Sequence, residues 1–277
     1  MNISLQVIYI AAPLLLITLG GLVSEYAGRM ACFLDGIINL GAFLCFAFTV
    51  LTKNFFFGAL FSVLCCMILV LILERFSSYF KANMFLVSLG MNLFFTAFCS
   101  LLSSVLFGTR SVLSSEVFSF SLNNTKIFTS IICVLFSAVI ILVLRFTKTG
   151  LALRITGTDS EVLESHGISS MKYRTLSWLI ATFCGSFGGC VLALRLSSYV
   201  PNIASGRGWT ALAAVFLGRK NPVVIIIAVL VFSVAEYASS YLQNISWFAN
   251  VSSSFLLSLP YIASLLLILI MPGEKEK

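Results

Sequence analysis

Apolar stretches of about twenty residues, separated by short polar segments, make up most of this chain. A helix needs about 20 mostly apolar residues to cross the hydrocarbon core of a bilayer. About eight stretches meet this requirement, at residues 3–23, 30–51, 55–73, 83–107, 127–146, 175–198, 222–243 and 254–271. Because lipid offers no partner to free backbone N–H and C=O groups, these stretches are predicted to be transmembrane helices and not open strands.

The composition also argues against a soluble globular protein. The 277 residues are 60% hydrophobic and 10% charged, whereas soluble domains are about 45–50% apolar and about 25% charged. The first stretch has no positive segment before it, so it is predicted to span the membrane and not to be a cleaved signal peptide. Residues 1–277 are therefore predicted to form one all-α integral membrane domain that crosses the bilayer many times.

The net charge of +7 comes from Lys and Arg residues scattered through the connecting segments. No basic stripe is present, so the chain is predicted to meet the lipid bilayer and not nucleic acid. Cytoplasmic loops collect Lys and Arg. The predicted loops fall into two sets, with seven and four of these residues: 24–29, 74–82 and 147–174 against 52–54, 108–126 and 199–207. The loop 147–174 is therefore predicted to be cytoplasmic.

Eight cysteines lie within or beside the apolar stretches. They form no CxxC pair, and the single histidine, His166, has no cysteine at a spacing that suits zinc. Free cysteine behaves as a small buried hydrophobe, so these residues are predicted to pack inside the bundle without forming disulfides. No metal or other cofactor is expected in this chain.

One apolar segment is too short to cross the membrane by itself. It reads "GWTALAAVFLG" at 208–218 and is followed by "RKNP", in which Pro222 biases the preceding residue away from helical geometry. Short apolar pieces interrupted by Gly or Pro often mark half-helices that line a transport route. The segment is predicted to be a broken or re-entrant helix. Whether it re-enters or crosses decides the topology after residue 199.

The longest polar run, "TKTGLALRITGTDSEVLESHGI", lies near the middle of the chain at 147–168. Thr158 followed by Glu161 forms a capping-box pattern, and Gly167 stands where a helix C-cap is expected. The pattern predicts a helix of about two turns, on which Val162 and Leu163 form a small apolar face with no evident partner in the chain. Two interpretations are open: an ordinary surface linker, or a docking site for another protein.

Several charged residues lie in or beside the apolar stretches. Charges are costly in lipid, so Asp35, Arg195 and Glu236 are expected to face a cavity or a partner. Glu236 is predicted to line a pathway or to form an interhelical pair; the alternative is a protonated carboxyl group buried among helices. Glu25 and Arg29 are expected to be interfacial or paired with each other.

Polar amides and one aromatic residue are further candidates for ligand contact. Asn39, Asn92 and Asn221 could hydrogen-bond a sugar or a base, although amides also hold membrane helices together. Trp209 could stack on a purine ring, or it could belong to the aromatic belt at the membrane surface. The candidate residues of a translocation pathway are therefore Asp35, Asn39, Trp209, Asn221 and Glu236.

Three blocks in chain order resemble the permease subunits of ABC importers, in the family that handles branched-chain amino acids, ribose and nucleosides. The first is "GGLVSEYAGRMACFLDGIINLGAF" at 20–43, where the family usually has Glu in place of Asp35. The second begins at Thr147 and carries Gly150, Leu153, Arg154, Gly157, Glu161, Gly167, Ile168, Gly185, Gly188 and Gly189. The third, "GRGWTALAAVFLGRKNP" at 206–222, is similar to the nucleoside and simple-sugar branch.

This resemblance implies a permease subunit of an ATP-driven importer in a bacterial inner membrane, with purine nucleosides as the expected substrates. The short helix at 158–167 would be the coupling helix that seats on a cytoplasmic ATPase subunit. The chain has no GxxxxGK[ST] loop, so the partner would bind ATP and Mg²⁺. The other implied partners are a second permease subunit, identical or different, and an extracytoplasmic substrate-binding lipoprotein. The implied coupling residues are Arg154, Gly157, Thr158, Glu161, Val162, Leu163 and Gly167.

Other functions fit parts of the sequence. Within the same branch, simple sugars such as ribose or galactose are the alternative substrates. A secondary transporter would explain the broken segment and the membrane carboxylates, but it gives no reason for a capped cytoplasmic helix. An intramembrane enzyme is disfavoured, because the chain has no HExxH or GxSxG motif.

Overall fold

The computed structural model describes residues 3–120, 122–243 and 262. Within these residues the chain forms ten α-helices and a short 3₁₀ helix at Glu116–Phe118. In chain order the α-helices are α1 (Ile3–Tyr26), α2 (Leu34–Thr52), α3 (Phe55–Tyr79), α4 (Met84–Phe107), α5 (Leu122–Phe146), α6 (Lys148–Thr158), α7 (Ser160–Ser165), α8 (Ser170–Leu196), α9 (Arg207–Leu217) and α10 (Pro222–Leu242).

Seven described helices are long and apolar enough to cross a membrane, and they confirm seven of the predicted spans. Apart from residue 262, the eighth predicted span, 254–271, lies outside the described residues. The helix α3 continues past its predicted end at residue 73, although Glu74 is a charged residue there. It can continue because the Glu74 side chain is 1% exposed and forms an ion pair with Arg29.

The helices α2 and α8 form the centre of the bundle. The helix α2 packs against α8, α3 and α4, while α1 packs against α8, α5, α9 and α10. Small residues on α8 allow a close crossing with α2: Gly185 meets Ile37, and Gly189 meets the backbone of Ile38. These glycines therefore serve close packing within the bundle.

The connecting segments lie at two opposite ends of the bundle. Each end holds one of the two sets of loops that the sequence predicted. At one end Leu113 and Tyr199 form an antiparallel bridge, and the N–H of Phe120 donates to the Ser197 hydroxyl at 3.2 Å. At the other end the turn after α1 meets the loop 147–174, which we call the coupling loop after the role that the resemblance implies. There Gly157 lies against the backbone of Tyr26. We call these ends the outer end and the coupling end, after the prediction from the charge distribution that the loop 147–174 is cytoplasmic.

The segment between α8 and α9 descends from the outer end along α2. Three contacts mark the descent: Phe43 packs edge-on against Tyr199, the Asn39 side chain accepts from the N–H of Ala204 at 3.0 Å, and Asp35 accepts from the N–H of Gly208 at 3.0 Å. These contacts step down α2 as the segment moves forward in sequence. The segment therefore runs antiparallel to α2 and into the bundle.

The helix α9 then completes the crossing to the coupling end. After α9 the backbone carbonyl of Lys220 accepts a hydrogen bond from the hydroxyl of Tyr26, which lies at the coupling end of α1. The prediction of a broken segment near 208–218 is confirmed, and the open choice between re-entry and crossing is resolved. Residues 199–217 cross the bundle as a non-helical segment followed by the half-helix α9. The helix α10 therefore starts at the coupling end.

The cysteines occupy packing positions, as predicted. All eight are free thiols, and seven of them are buried; Cys65 is partly exposed. The thiol of Cys190 lies 3.6 Å from the carbonyl oxygen of Gly41, at the contact between α8 and α2.

Replacing Gly189 by alanine is expected to destabilise the bundle, because a Cβ at this position would overlap the backbone of Ile38 and Ala42. Overpacking of this kind typically costs about 1–3 kcal/mol. The melting temperature of the protein purified in detergent measures the effect. The control is Gly90→Ala on α4, where an added Cβ meets open space. Equal melting temperatures in the two variants would contradict the close crossing of α2 and α8.

Candidate functional site

The polar run at 147–168 forms two helices, α6 and α7, where the sequence predicted one short helix. The backbone of Asp159 is extended, with φ of −151°, and its carboxylate accepts from the N–H groups of Glu161 at 3.0 Å and Val162 at 3.4 Å. The N-cap of α7 is therefore Asp159, and the prediction that Thr158 caps this helix is wrong by one position. Thr158 is still helical at the end of α6, and its hydroxyl donates to the carbonyl of Arg154 at 3.2 Å.

The end of α7 agrees with the prediction that Gly167 terminates this helix. Gly167 has a φ of 74°, a left-handed conformation that favours glycine. Its N–H donates to the carbonyl of Glu164 at 2.9 Å, and the N–H of Ile168 donates to the carbonyl of Leu163 at 3.0 Å. These two bonds form a Schellman motif. Both ends of α7 are thus fixed by the local sequence.

The apolar face predicted on α7 is only partly exposed. The side chain of Leu163 is 5% exposed and packs inward, so the prediction that it has no partner in the chain is wrong. Val162 is 45% exposed, and Ile168 beyond the end of α7 is 40% exposed. We define the coupling surface as the exposed residues Glu161, Val162, Gly167 and Ile168.

The helix α6 connects this loop to the end of α1. The guanidinium of Arg154 lies over the ring of Tyr26, 5.0 Å from its centre. The hydroxyl of the same Tyr26 donates to the carbonyl of Lys220 at 2.5 Å, and Gly157 allows α6 to approach the carbonyl of Tyr26 closely. Arg154 and Gly157 therefore make contacts within the chain. A displacement of α6 would act on α1 and on the turn between α9 and α10.

A buried ion pair at the coupling end was missed by sequence reasoning. Arg29 donates to Glu74 at 2.8 Å, and the same carboxylate oxygen accepts from the hydroxyl of Thr175 at 3.1 Å. Burial lowers the pKa of Arg29, and the hydrogen bond and charge of Glu74 oppose that shift. Glu25 instead pairs with Lys220 at 3.4 Å, so of the two expected alternatives, interfacial or mutually paired, the mutual pairing of Glu25 with Arg29 is wrong. The Arg29–Glu74 pair, with Thr175, joins the turn after α1 to α3 and α8.

Two candidate pathway residues, Asp35 and Asn39, hold the descending segment in place. Their side chains accept backbone N–H groups of that segment, as described above. Asn39 is 1% exposed. Gly208 is required at its position because a side chain there would overlap the backbone of Asp35. Asn39 thus supplies an acceptor to non-helical backbone and Asp35 to a first-turn N–H of α9 at membrane depth, which lipid cannot do.

The other candidate amides and Trp209 lie elsewhere. The side chain of Asn92 accepts from the N–H of Gly36, and Asn221 caps α10 by accepting from the N–H of Val223 at 3.1 Å. Asn221 therefore lies at the coupling end. Trp209 is on α9 and is 41% exposed, so its ring faces outward from this chain.

Glu236 pairs with Arg207, and both line a cavity at the outer half of the bundle. The ion pair joins α10 to the start of α9, and both side chains stay about a quarter exposed. The cavity holds about 380 Å³ and is lined by α1, α5, α8, α9, α10 and the descending segment. The expectation that Glu236 faces a partner or a cavity agrees with this arrangement. Among the described residues the cavity has one carboxylate, Glu236, and three cations, Lys126, Arg195 and Arg207.

Arg195 is held by hydroxyl and carbonyl groups. Its guanidinium donates to the hydroxyls of Thr129 at 3.0 Å and Ser130 at 2.8 Å, and to the backbone carbonyl of Tyr9. This side chain therefore ties α8 to α5 and α1. It also keeps a positive charge beside the cavity, as expected for a charge that avoids lipid.

The pathway candidates consequently form no single cluster. Glu236 lines the cavity, Asp35 and Asn39 bind the descending segment, and Trp209 faces outward. Asn221 is at the opposite end of the bundle from the cavity. The functional roles of all five residues stay predictions. The contacts identify Arg207 as an additional candidate, which the sequence alone had assigned to an outer loop.

A polytopic helical chain with a half-helix at membrane depth and a capped exposed helix between two spans is typical of the membrane subunit of a multisubunit transporter. Comparison with protein families agrees. Residues 3–271 match the permease component of the branched-chain amino acid transport system, and the chain belongs to this family. It is a multi-pass ABC transporter permease of the cell membrane, and family membership assigns transport and not catalysis to it.

Relatives with assigned names include transporters of different solutes. The chain is 25% identical to the nucleoside ABC transporter permease NupC of Lactococcus lactis, with 95% of this chain and 90% of NupC covered. It is 25% identical to the guanosine permease NupQ of Bacillus subtilis, covering 92% and 87%. A putative glucose permease of Haloferax volcanii, TsgC13, is also 25% identical, covering 85% and 76%.

A solved structure shares the fold. The chain superposes on a chain of PsaBC from Streptococcus pneumoniae in complex with Fab, with a TM-score of 0.55, 18% sequence identity, and 98% of this chain and 93% of that chain covered. At this identity the likeness concerns the fold alone.

Replacing Glu236 by glutamine is expected to lower transport, because it removes the cavity's carboxylate and leaves Arg207 without its ion pair. The stability loss should be small, about 1 kcal/mol or less, since both side chains keep contact with solvent. Transport rate and melting temperature are the measurements. Glu116→Gln, at an exposed position at the outer end, is the control. The double exchange Arg207→Glu with Glu236→Arg should recover part of the transport. Unchanged transport in Glu236→Gln would contradict a role for the pair.

Proposed function

We propose that this chain is the permease subunit of an ATP-driven nucleoside importer, and that α7 is the point at which a cytoplasmic ATPase subunit acts on it. The observation that carries the proposal is the coupling surface. It is formed by a helix that is capped at both ends and exposes Val162, and by Ile168 just beyond the end of that helix. Exposed apolar groups on a rigid, solvent-facing element fit a protein partner better than a simple linker.

The contacts around α6 supply a route for coupling. A push on α7 would pass through α6 to Tyr26 on α1, and from its hydroxyl to Lys220 between α9 and α10. The same turn is held by the ion pair of Glu25 with Lys220. The ATPase would therefore move α1, α9 and α10 together at the coupling end. Of these helices, α9 carries Arg207 and α10 carries Glu236, both toward the outer half of the bundle.

At the outer half, the Arg207–Glu236 pair would hold α9 against α10 in the state described. Separation of the two helices would break this pair and change the shape of the cavity. Alternating access requires such a rearrangement around a site near the middle of the membrane. The complete importer would also need a second permease subunit and an extracytoplasmic binding protein, as its family implies.

Changing Val162 to aspartate is expected to weaken association with the ATPase subunit roughly tenfold or more, the size of a hot-spot loss at a protein interface. The side chain is exposed, so the fold should be unaffected. Co-purification of the subunits and ATP-dependent uptake measure the effect. Val162→Ile, which keeps an apolar surface, is the matched control. Normal assembly and uptake by Val162→Asp would refute the coupling role of α7.

Nucleosides are the favoured substrates because two of the relatives named above carry nucleoside or guanosine in their names. The ring of Trp209 faces outward from this chain, so it would offer a stacking surface for a purine where this face meets the second permease subunit. Simple sugars are the second candidate, because a relative of equal identity is named as a putative glucose permease.

Uptake by cells that produce this chain with its ATPase and binding protein separates these substrates. Radiolabelled guanosine is expected to accumulate, and unlabelled ribose in large excess is expected not to compete. Accumulation should cease when the ATPase subunit is absent. Accumulation of radiolabelled ribose with no accumulation of guanosine would favour the sugar alternative. Uptake driven by an ion gradient without the ATPase would overturn the importer proposal.

A further inference from the structure

A groove on the exposed side of the bundle runs along the first half of α8. Its deeper part lies between α8, α5 and α6 and holds about 400 Å³. At its coupling end it meets a shallow hollow formed by the start of α6, the residues after α7 and the start of α8. Leu176 lines both parts, so they form one continuous surface that we call the α8 groove.

The mouth of the α8 groove is polar and basic. It is lined by Thr149, Lys172, Tyr173 and residues 167–169. Lys172 is exposed and forms no ion pair with any carboxylate in the described part of the chain. Two further cations, Arg145 and Lys148, are exposed where α5 meets α6.

The nearest carboxylates do not occupy the mouth. Glu164 on α7 accepts from the hydroxyl of Ser170 at 2.6 Å, and Asp159 is used in capping α7. Glu161 belongs to the coupling surface. None of the three lines the hollow, so Lys172 is the charged side chain that a ligand at the mouth would meet.

The deeper part of the groove is apolar. Its lining is made of aliphatic and aromatic side chains: Val23, Met67, Phe136, Val139, Ile140, Val143, Leu144, Leu153, Leu176, Leu179, Ile180 and Phe183. A helix rises about 1.5 Å per residue, so the distance along α8 from Lys172 to Phe183 is about 16 Å. That is about half of the 30 Å hydrocarbon core, or the depth of one leaflet.

We infer that the α8 groove binds an anionic phospholipid of the cytoplasmic leaflet, with its phosphate at Lys172 and Thr149 and an acyl chain along α8. The match of a basic mouth at the membrane surface with an apolar groove one leaflet deep supports this occupant. A peptide segment would leave its backbone N–H and C=O groups without partners in the apolar part, whereas an acyl chain has none to satisfy. Juxtamembrane Lys and Arg residues attract anionic headgroups in this leaflet.

The bound lipid would touch the coupling loop. Gly167 and Ile168 form one wall of the mouth and belong to the coupling surface. A headgroup at Lys172 would therefore hold the connection between α7 and α8 in one conformation. This site is independent of the substrate, so its test does not rest on the nucleoside proposal.

Native mass spectrometry of the detergent-purified transporter tests the inference. Phosphatidylglycerol is expected to stay bound when phosphatidylcholine, added at the same concentration, does not. Lys172→Glu should lower the retention of phosphatidylglycerol roughly fivefold or more, the scale of one juxtamembrane cation. The control is Lys81→Glu, an exposed lysine at the coupling end that does not line the groove.

A second pair of variants tests the apolar part. Val139→Trp should fill the groove and lower retention, whereas Val134→Trp, on the same helix and equally exposed but outside the groove, should not. Equal retention in Lys172→Glu and the wild-type protein would overturn the inference, as would equal retention of phosphatidylcholine. Displacement of phosphatidylglycerol by soluble glycerol phosphate would also overturn it, because the site would then bind a free phosphate and not a lipid.

Discussion

The satisfaction of backbone polar groups at membrane depth is the constraint on which this architecture depends. Residues 199–206 enter the bundle without helical hydrogen bonds, which is tolerated only where protein groups replace water. Asn39 and Asp35 on α2 supply acceptors for the N–H groups of Ala204 and Gly208. With those contacts in place, α9 can begin inside the bundle and end beside α1. The position of α10 and the shape of the outer cavity follow from that course.

The broken crossing also connects the two ends of the molecule. An unbroken helix would link the two ends of the bundle as one rigid rod. The half-helix α9 is instead held separately at each end, by α2 and α10 at its start and by Tyr26 at its end. Its start carries Arg207, paired with Glu236, and the turn after it is bound to α1 through Lys220. The half-helix is therefore the element through which a change at the coupling loop would reach the outer cavity.

The sequence predicted the spans well because apolar length is a local property. It failed where the outcome depends on residues far apart in the chain. Glu74 resembles the charged end of a span, and only its contact with Arg29 explains why α3 continues through it. Likewise, the capping motif of α7 was recognised but assigned to Thr158, because pattern alone does not show that Asp159 adopts the extended backbone of a cap. The broken segment was recognised, but its direction required the contacts with α2.

The polar residues at membrane depth differ in how completely their partners confine them. Asp35 and Asn39 bind backbone groups, and Arg195 uses three groups from two neighbouring helices, so movement would leave several buried polar groups without partners. The Arg207–Glu236 pair is different, since both side chains keep contact with the cavity, where water can replace the lost partner. A rearrangement of the bundle should therefore preserve the contacts along α2 and break this pair first. The residue types alone do not distinguish these two groups; their burial does.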